Sequence, residues 1–79
     1  MKLQEIINID ANIMSGTPVF DGTRVPIQSL FWHIEEGISI EDFLDDFPSV
    51  TREQINALLE LVGKTFDSQN IHHVYEIAA

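Results

Sequence analysis

The sequence contains no cysteine and only four basic residues, and each shortage excludes a class of protein. Without cysteine, the chain forms no disulfide bonds and offers no thiolate ligands to a metal ion. Four Lys and Arg against 13 Asp and Glu give a formal net charge of -9. Such a charge opposes contact with phosphate groups, from which nucleic-acid binding gains much of its affinity. We therefore expect that the isolated chain does not bind nucleic acid.

Long apolar runs and targeting signals are also absent from the sequence. No run approaches the roughly 20 apolar residues that cross a bilayer. No segment combines the basic start, apolar middle and small-residue cleavage site of a signal peptide. We therefore expect a cytoplasmic protein without a membrane partner.

Signatures of catalysis and of cofactor binding are missing as well. The sequence has no nucleophile elbow and no phosphate-binding loop, and its paired acids fall on open helix faces. His72 and His73 are adjacent and diverge on either a helix or a strand, and His33 adds no known ligand spacing. We therefore expect neither an enzyme nor a protein that binds a metal or a cofactor.

The length of 79 residues suffices for one small domain with a thin core. We expect an N-terminal arm over residues 1–14, a β-hairpin with a trihelical domain over 15–66, and a C-terminal tail over 67–79. Alternation in the arm favours a short strand, and Asp21-Gly22 is typical of a hairpin turn. The apolar residues of the tail fit a helix and a strand equally, so its conformation stays open.

Three amphipathic segments with cap signals predict three helices. The first begins with Pro26 in its first turn and ends before Gly37, which suits a left-handed position. The second is capped by Ser39 and ended by Pro48, and Thr51 caps the third. The short link between the second and third helices is typical of helix-turn-helix units. The predicted fold is therefore mainly α, a three-helix, helix-turn-helix (homeodomain-like) bundle preceded by a short N-terminal strand and a β-hairpin. The predicted core stripes are Ile27, Leu30, Phe31 and Ile34, then Ile40, Phe43, Leu44 and Phe47, then Ile55, Leu58, Leu59, Leu61, Val62 and Phe66.

A signature run, GTPVFDGTRVP, extends from Gly16 to Pro26 after an Ile-x-Asp element that ends at Asp10. With the caps that follow, residues 7 to 66 closely resemble the bacterial and archaeal family known as domain of unknown function 433. The family has a second glycine where this chain has Ser15. The resemblance implies a homeodomain-like trihelical fold and an antitoxin, which restrains a PIN-like ribonuclease in a toxin–antitoxin system. Its motif positions in this chain are Gly16, Pro18, Gly22, Thr23, Arg24 and Pro26.

Arg24 stands alone among acids directly after the hairpin turn. Its planar guanidinium can tie the hairpin to a carboxylate or to free carbonyls at a helix end, and we expect this structural role. Contact with an acidic group of a partner is the alternative.

The third helix would be the recognition helix of a DNA reader. It offers Arg52, Gln54 and Asn56 near its start, and such residues contact base edges. The preceding helix, which should cross the phosphate backbone, carries four carboxylates. A helix-turn-helix DNA-binding regulator, alone or in complex with a basic partner, is therefore the alternative function.

The leading hypothesis is an antitoxin-like module that binds and neutralises a basic PIN-like ribonuclease toxin. Asp42, Asp45 and Asp46 are its acidic contact candidates, although exposed acids also occur on helices for solubility alone. Trp32 falls about 140° from Ile27 around the first helix, off the apolar stripe. It is therefore either an aromatic anchor for a partner or covered by the chain's own termini. Tyr75 is the corresponding candidate in the tail. A homodimer is compatible with either function.

Overall fold

The computed structural model describes residues 1–78, so Ala79, the last residue of the predicted tail, lies outside the described residues. Most of the described chain is helical, and a pair of short strands lies near its start. The predicted class, mainly α with an N-terminal antiparallel strand pair, is confirmed. The elements are α1 (Leu3–Ile6), β1 (Ile7–Asn8), β2 (Val19–Phe20), α2 (Ile27–Glu35), α3 (Ile40–Asp46), α4 (Arg52–Thr65) and α5 (Ser68–Ala78).

The three helices of the bundle begin and end at the predicted caps. The Ser39 hydroxyl accepts the backbone N–H of Asp42 at 3.1 Å at the start of α3. At the start of α4, Thr51 and Gln54 cap each other reciprocally. Gly37 follows α2 with a φ of +77°, and its N–H donates to the Ile34 carbonyl at 3.0 Å. These local bonds satisfy backbone groups that a helix end otherwise leaves without partners.

The strand pair differs in one respect from the predicted hairpin. Gly22 has a φ of +78°, and the chain reverses there as predicted. After the turn, however, Pro26 makes a single bridge with Val19, and β2 takes β1 as its strand partner. The Thr23 hydroxyl accepts the Val25 N–H at 3.0 Å within the turn. The N-terminal strand is short, as predicted, and residues 3–6 before it form one helical turn.

The turn before β2 includes Ser15, which has a φ of +56° and a ψ of +33°. A left-handed conformation costs a residue with a Cβ roughly 1–2 kcal/mol and costs glycine little. The glycine of the family pattern at this position therefore has a conformational reason, and Ser15 departs from it.

One hydrophobic core joins the N-terminal arm to the three bundle helices. Three residues predicted for the core lie instead largely at the surface. Ile34 is near the end of α2 and Phe66 follows α4, so both stand beyond the cluster. Leu61 faces away from it, since Val62, the next residue of α4, packs against the cluster. The buried cluster consists of Ile6, Phe20, Leu30, Phe43, Val50, Ile55 and Leu58.

The tail forms a helix, α5, and this resolves the ambiguity between helix and strand. Asp67 accepts the Asn70 N–H at its side chain at 3.1 Å, as a helix cap does. The Asn70 amide donates to the Lys64 carbonyl at 2.7 Å, which ties the start of α5 to the end of α4. Within residues 1–78, no helix has both the length and the apolar character needed to span a membrane.

Candidate functional site

Trp32 lies on the outer side of α2 with 57% of its surface exposed. Leu30 is fully buried on the opposite side, which fixes the orientation of the helix. Glu35 and Glu36 follow Trp32 at helical spacings of three and four residues, and both are exposed. The chain's own termini therefore leave the indole open. An uncovered indole beside two carboxylates attracts a cationic side chain, which can stack on the ring and pair with the acids.

A second group of exposed acids lies on the next helix, α3. Phe43 is fully buried, and Asp42, Asp45 and Asp46 are exposed. Their spacing of three and four residues places them on neighbouring positions of the helix surface. Within residues 1–78, none of these three aspartates forms an ion pair. Helices α2 and α3 pack against each other. We give the name acidic face to the indole, the two glutamates at the end of α2 and the three aspartates of α3 that form no ion pair within residues 1–78: Trp32, Glu35, Glu36, Asp42, Asp45 and Asp46.

Arg52, a candidate for DNA contact, pairs with an acid of the protein. Its guanidinium lies 3.1 Å from the Glu41 carboxylate. The backbone N–H of Glu41 and, next, the Arg52 guanidinium hold the pKa of the Glu41 carboxyl below its ordinary value. The Arg52 guanidinium thus connects α3 to α4. In a DNA-binding protein, this group would instead have to point at a phosphate or a base.

Gln54, a second DNA candidate, lies inside the protein with 5% of its surface exposed. Its amide nitrogen donates to the carbonyls of Glu5 and Asp21, at 3.0 Å each. Its amide oxygen accepts the Thr51 N–H at 3.1 Å. The prediction that Gln54 contacts DNA is therefore wrong, because the residue is buried and its amide is hydrogen-bonded within the protein. Asn56, the third candidate, is exposed.

The residues of the signature run shape the chain that leads into α2. Gly16 and Gly22 have positive φ values of +85° and +78°. The Thr23 hydroxyl donates to the Phe20 carbonyl at 2.8 Å, and the Pro18 carbonyl accepts the Ile27 N–H at 3.0 Å. Pro26 is the N-cap of α2, one residue before the helical position predicted for it.

Arg24 differs from its predicted role. It is exposed, and it forms no ion pair or side-chain hydrogen bond with any of residues 1–78. The predicted tie of Arg24 to a carboxylate or to carbonyls at a helix end is therefore not formed within residues 1–78. The side-chain bonds of the turn come instead from the Thr23 hydroxyl, which donates to the Phe20 carbonyl and accepts the Val25 N–H. Arg24 remains available at the surface.

His33 packs against aromatic rings at the end of α3. Its Nδ1 atom lies 2.6 Å from the Ser29 carbonyl. Its ring centroid lies 5.1 Å from that of Phe43 and 5.6 Å from that of Phe47, in edge-to-face geometry. In the described part of the chain, no group of three or more His, Cys, Asp or Glu is placed to hold a metal ion.

Two other exposed regions lie outside the acidic face. A groove between the arm and α4 is lined by the apolar residues Met1, Leu3 and Leu61 among others, and by the charged residues Glu60 and Lys64. Sequence patterns did not indicate it because the arm was expected to be extended. Tyr75 lies on α5 with 71% of its surface exposed. It is therefore an exposed aromatic as predicted, but on a different helix from the acidic face.

The chain folds into a small, mainly helical domain with an N-terminal strand pair, and its acidic face combines an exposed indole with five exposed carboxylates. The chain belongs to the family described as protein of unknown function (DUF433), whose family model matches residues 7–61. The predicted family is thereby confirmed.

The chain is similar to the uncharacterized protein y4eO of Sinorhizobium fredii (strain NBRC 101917 / NGR234). The two are 38% identical over 52 residues, which make up 66% of this chain and 24% of that protein. The matched region thus spans about a quarter of the relative's length. No solved structure matches the chain.

Proposed function

We propose that this chain is a non-catalytic, cytoplasmic binding module whose acidic face holds a basic protein partner. The partner is a PIN-like ribonuclease, which the module neutralises as an antitoxin does. The observation that carries the proposal is the uncovered Trp32, 57% exposed, beside Glu35 and Glu36. Tryptophan is among the residues most enriched at binding hot spots, where it fills a pocket of the partner and loses contact with water.

The charge distribution supports a basic partner. Residues 1–61 carry eleven acids and three bases, which gives a net charge of -8. The three aspartates of the acidic face have no cation beside them within residues 1–78. Opposite charge on a partner speeds encounter and excludes acidic competitors, whereas the buried aromatic supplies most of the affinity. A ribonuclease needs basic surface to bind RNA, and the acidic face is complementary to such a surface.

The start of α4 supports protein binding over DNA reading. Of the three residues suited to base contact, Gln54 is buried and Arg52 is paired with Glu41. Asn56 is exposed, and the neighbouring α3 presents carboxylates to any phosphate backbone. A DNA-binding role therefore requires basic surface from a partner.

The proposal is tested by titration calorimetry against the basic PIN-like protein encoded beside this chain. We expect Trp32→Ala to weaken binding by about 2 kcal/mol, or roughly 30-fold, because truncation of an anchor leaves its pocket unfilled. Ile9→Ala is the matched control, since Ile9 is 67% exposed on the N-terminal arm and should have no effect.

Three results would contradict the proposal. One is the absence of any basic PIN-like protein beside this chain, and another is an unchanged affinity for Trp32→Ala. The third is a mobility shift of DNA by the isolated chain that fades steeply as salt rises, since this is the behaviour of an unaided DNA-binding protein.

A further inference from the structure

Helix α5 has little of the packing that stabilises a helix of its length. None of its 11 residues is buried, and Ile71 alone is half-buried. Isolated helices shorter than about 12–15 residues are marginal in water, and helices in proteins depend on covering an apolar face. The cap at Asp67 and the bond from Asn70 to α4 fix only the start of the helix. A stable α5 therefore requires a partner surface.

The exposed side chains of α5 are divided between two faces. Ile71, Val74, Tyr75 and Ala78 follow at the spacing of one helix face, and Ile77 borders it. Val74 is 41% exposed, Tyr75 71% and Ile77 73%. At about 100° per residue, His73 and Glu76 fall away from this face, whereas His72 borders it beside Tyr75 as Ile77 does beside Val74. The apolar face of α5 thus contains no Asp, Glu, Lys or Arg side chain.

The net charge of residues 62–79, which include α5, differs from that of the rest of the molecule. Residues 62–79 contain Lys64, Asp67 and Glu76, which gives a net charge of -1, whereas residues 1–61 carry -8. Residues 62–79 therefore attract a basic partner only weakly. Two copies that meet through this region bring little like charge together and leave their acidic faces outside. The region also lies beyond residue 61, where the family match ends.

We propose that the apolar face of α5, together with Phe66, is a self-association surface that a second copy of this chain covers. The two α5 helices pair antiparallel about a two-fold axis, which places the same patch on both sides of the contact. Phe66 is 66% exposed and Tyr75 71%. If these rings become covered, they bury about 200–340 Å² per copy, given that a whole aromatic side chain buries about 150–250 Å².

The expected dimer is weak, because a standard stable interface buries about 800 Å² per partner and α5 offers less. Sedimentation equilibrium of the isolated chain from about 1 µM to about 1 mM tests the proposal without any partner protein. We expect a monomer at the lowest concentration and a dimer at the highest. Val74→Ala combined with Tyr75→Ala should weaken dimerisation about tenfold or more.

Trp32→Ala is the matched control and should leave the dimerisation constant within about twofold, because Trp32 lies on α2. Alanine favours helices, so the double variant keeps α5 able to form. Hydrogen exchange of the α5 amides provides an independent measurement, and their protection should rise with protein concentration. A monomer at every concentration, a dimer that is insensitive to the double variant, or protection independent of concentration would overturn the proposal.

Discussion

The acidic face and the apolar face of α5 each expose one large aromatic residue, but their surroundings differ. Trp32 stands beside Glu35 and Glu36 on a helix that packs against another acidic helix. Tyr75 stands on a face without Asp, Glu, Lys or Arg, in a region with a net charge of -1. Exposure alone therefore does not identify the partner of an aromatic residue. The difference in charge around the two rings is the reason that we propose a basic protein for Trp32 and a second copy for Tyr75.

The largest expected effect comes from Gln54, because both surfaces depend on the frame that it holds together. Gln54→Ala removes the donor to the Glu5 and Asp21 carbonyls and half of the cap of α4. We expect the free energy of unfolding in urea to fall by about 2–4 kcal/mol, since buried groups left without partners cost about 1–3 kcal/mol each.

Asn56→Ala is the control for Gln54→Ala, because Asn56 is an exposed amide on the same helix. It should change the free energy of unfolding by less than about 0.5 kcal/mol. Equal stability of the two variants would show that the buried amide does not connect the arm to α4.

The charge of the acidic face should affect association with the basic partner and leave dimerisation through α5 unchanged. Asp42→Asn, Asp45→Asn and Asp46→Asn together should slow association with the basic partner about tenfold at low salt, because steering by opposite charge is reduced. Stopped-flow kinetics at low and high salt measure this rate. Dimerisation of the isolated chain should not weaken in the same variant, since these aspartates lie on α3, away from α5.

A variant with the same change of net charge elsewhere gives the control. If the acidic face is the docking surface, this control variant slows association less than the triple aspartate variant does. Equal slowing by both variants would show that only net charge matters and would contradict the proposal. Its substitutions are Glu53→Gln, Glu60→Gln and Glu76→Gln, all at exposed positions of α4 and α5.

The smallest expected effect is a pH dependence of stability at Glu41, which borders the acidic face. The pKa of its carboxyl is lowered from an ordinary value of 4.5, first by its own backbone N–H and then by Arg52. A carboxyl with a lowered pKa in the folded state stabilises the fold above its ordinary pKa and loses this effect as the pH falls through the lowered value.

Urea unfolding of the wild type and of Glu41→Gln measures this effect. The difference between their midpoints should be small at neutral pH, because the pair with Arg52 is solvent-exposed. It should shrink as the pH falls below about 4.5. A difference that grows on acidification would contradict the assignment.

The sequence allowed those parts of the fold to be predicted that local signals specify. Ser39, Thr51 and Gly37 act on backbone groups within a few residues, and the helices begin and end accordingly. The family and the mainly α class also followed from the signature run and from helical spacing. Helical spacing placed Trp32 off the apolar stripe but left open whether the termini cover it.

Long-range contacts explain what could not be predicted. The amide of Gln54 bonds to Glu5, 49 residues away, and to Asp21, 33 residues away, and no local pattern indicates such partners. The pairing of β2 with β1 is another contact between segments that are distant in the sequence. Arg24 was predicted to be structural because it stands alone among acids after the turn, but the Thr23 hydroxyl forms the side-chain bonds there.

Calorimetric titration of the basic PIN-like partner into three forms of this chain tests most directly whether the two surfaces have different partners. The forms are the wild type, Trp32→Ala, and the double variant Val74→Ala with Tyr75→Ala. We expect about a 30-fold loss of affinity for Trp32→Ala and no loss for the double variant. Loss in the double variant with full affinity in Trp32→Ala would contradict the assignment and place the partner on α5.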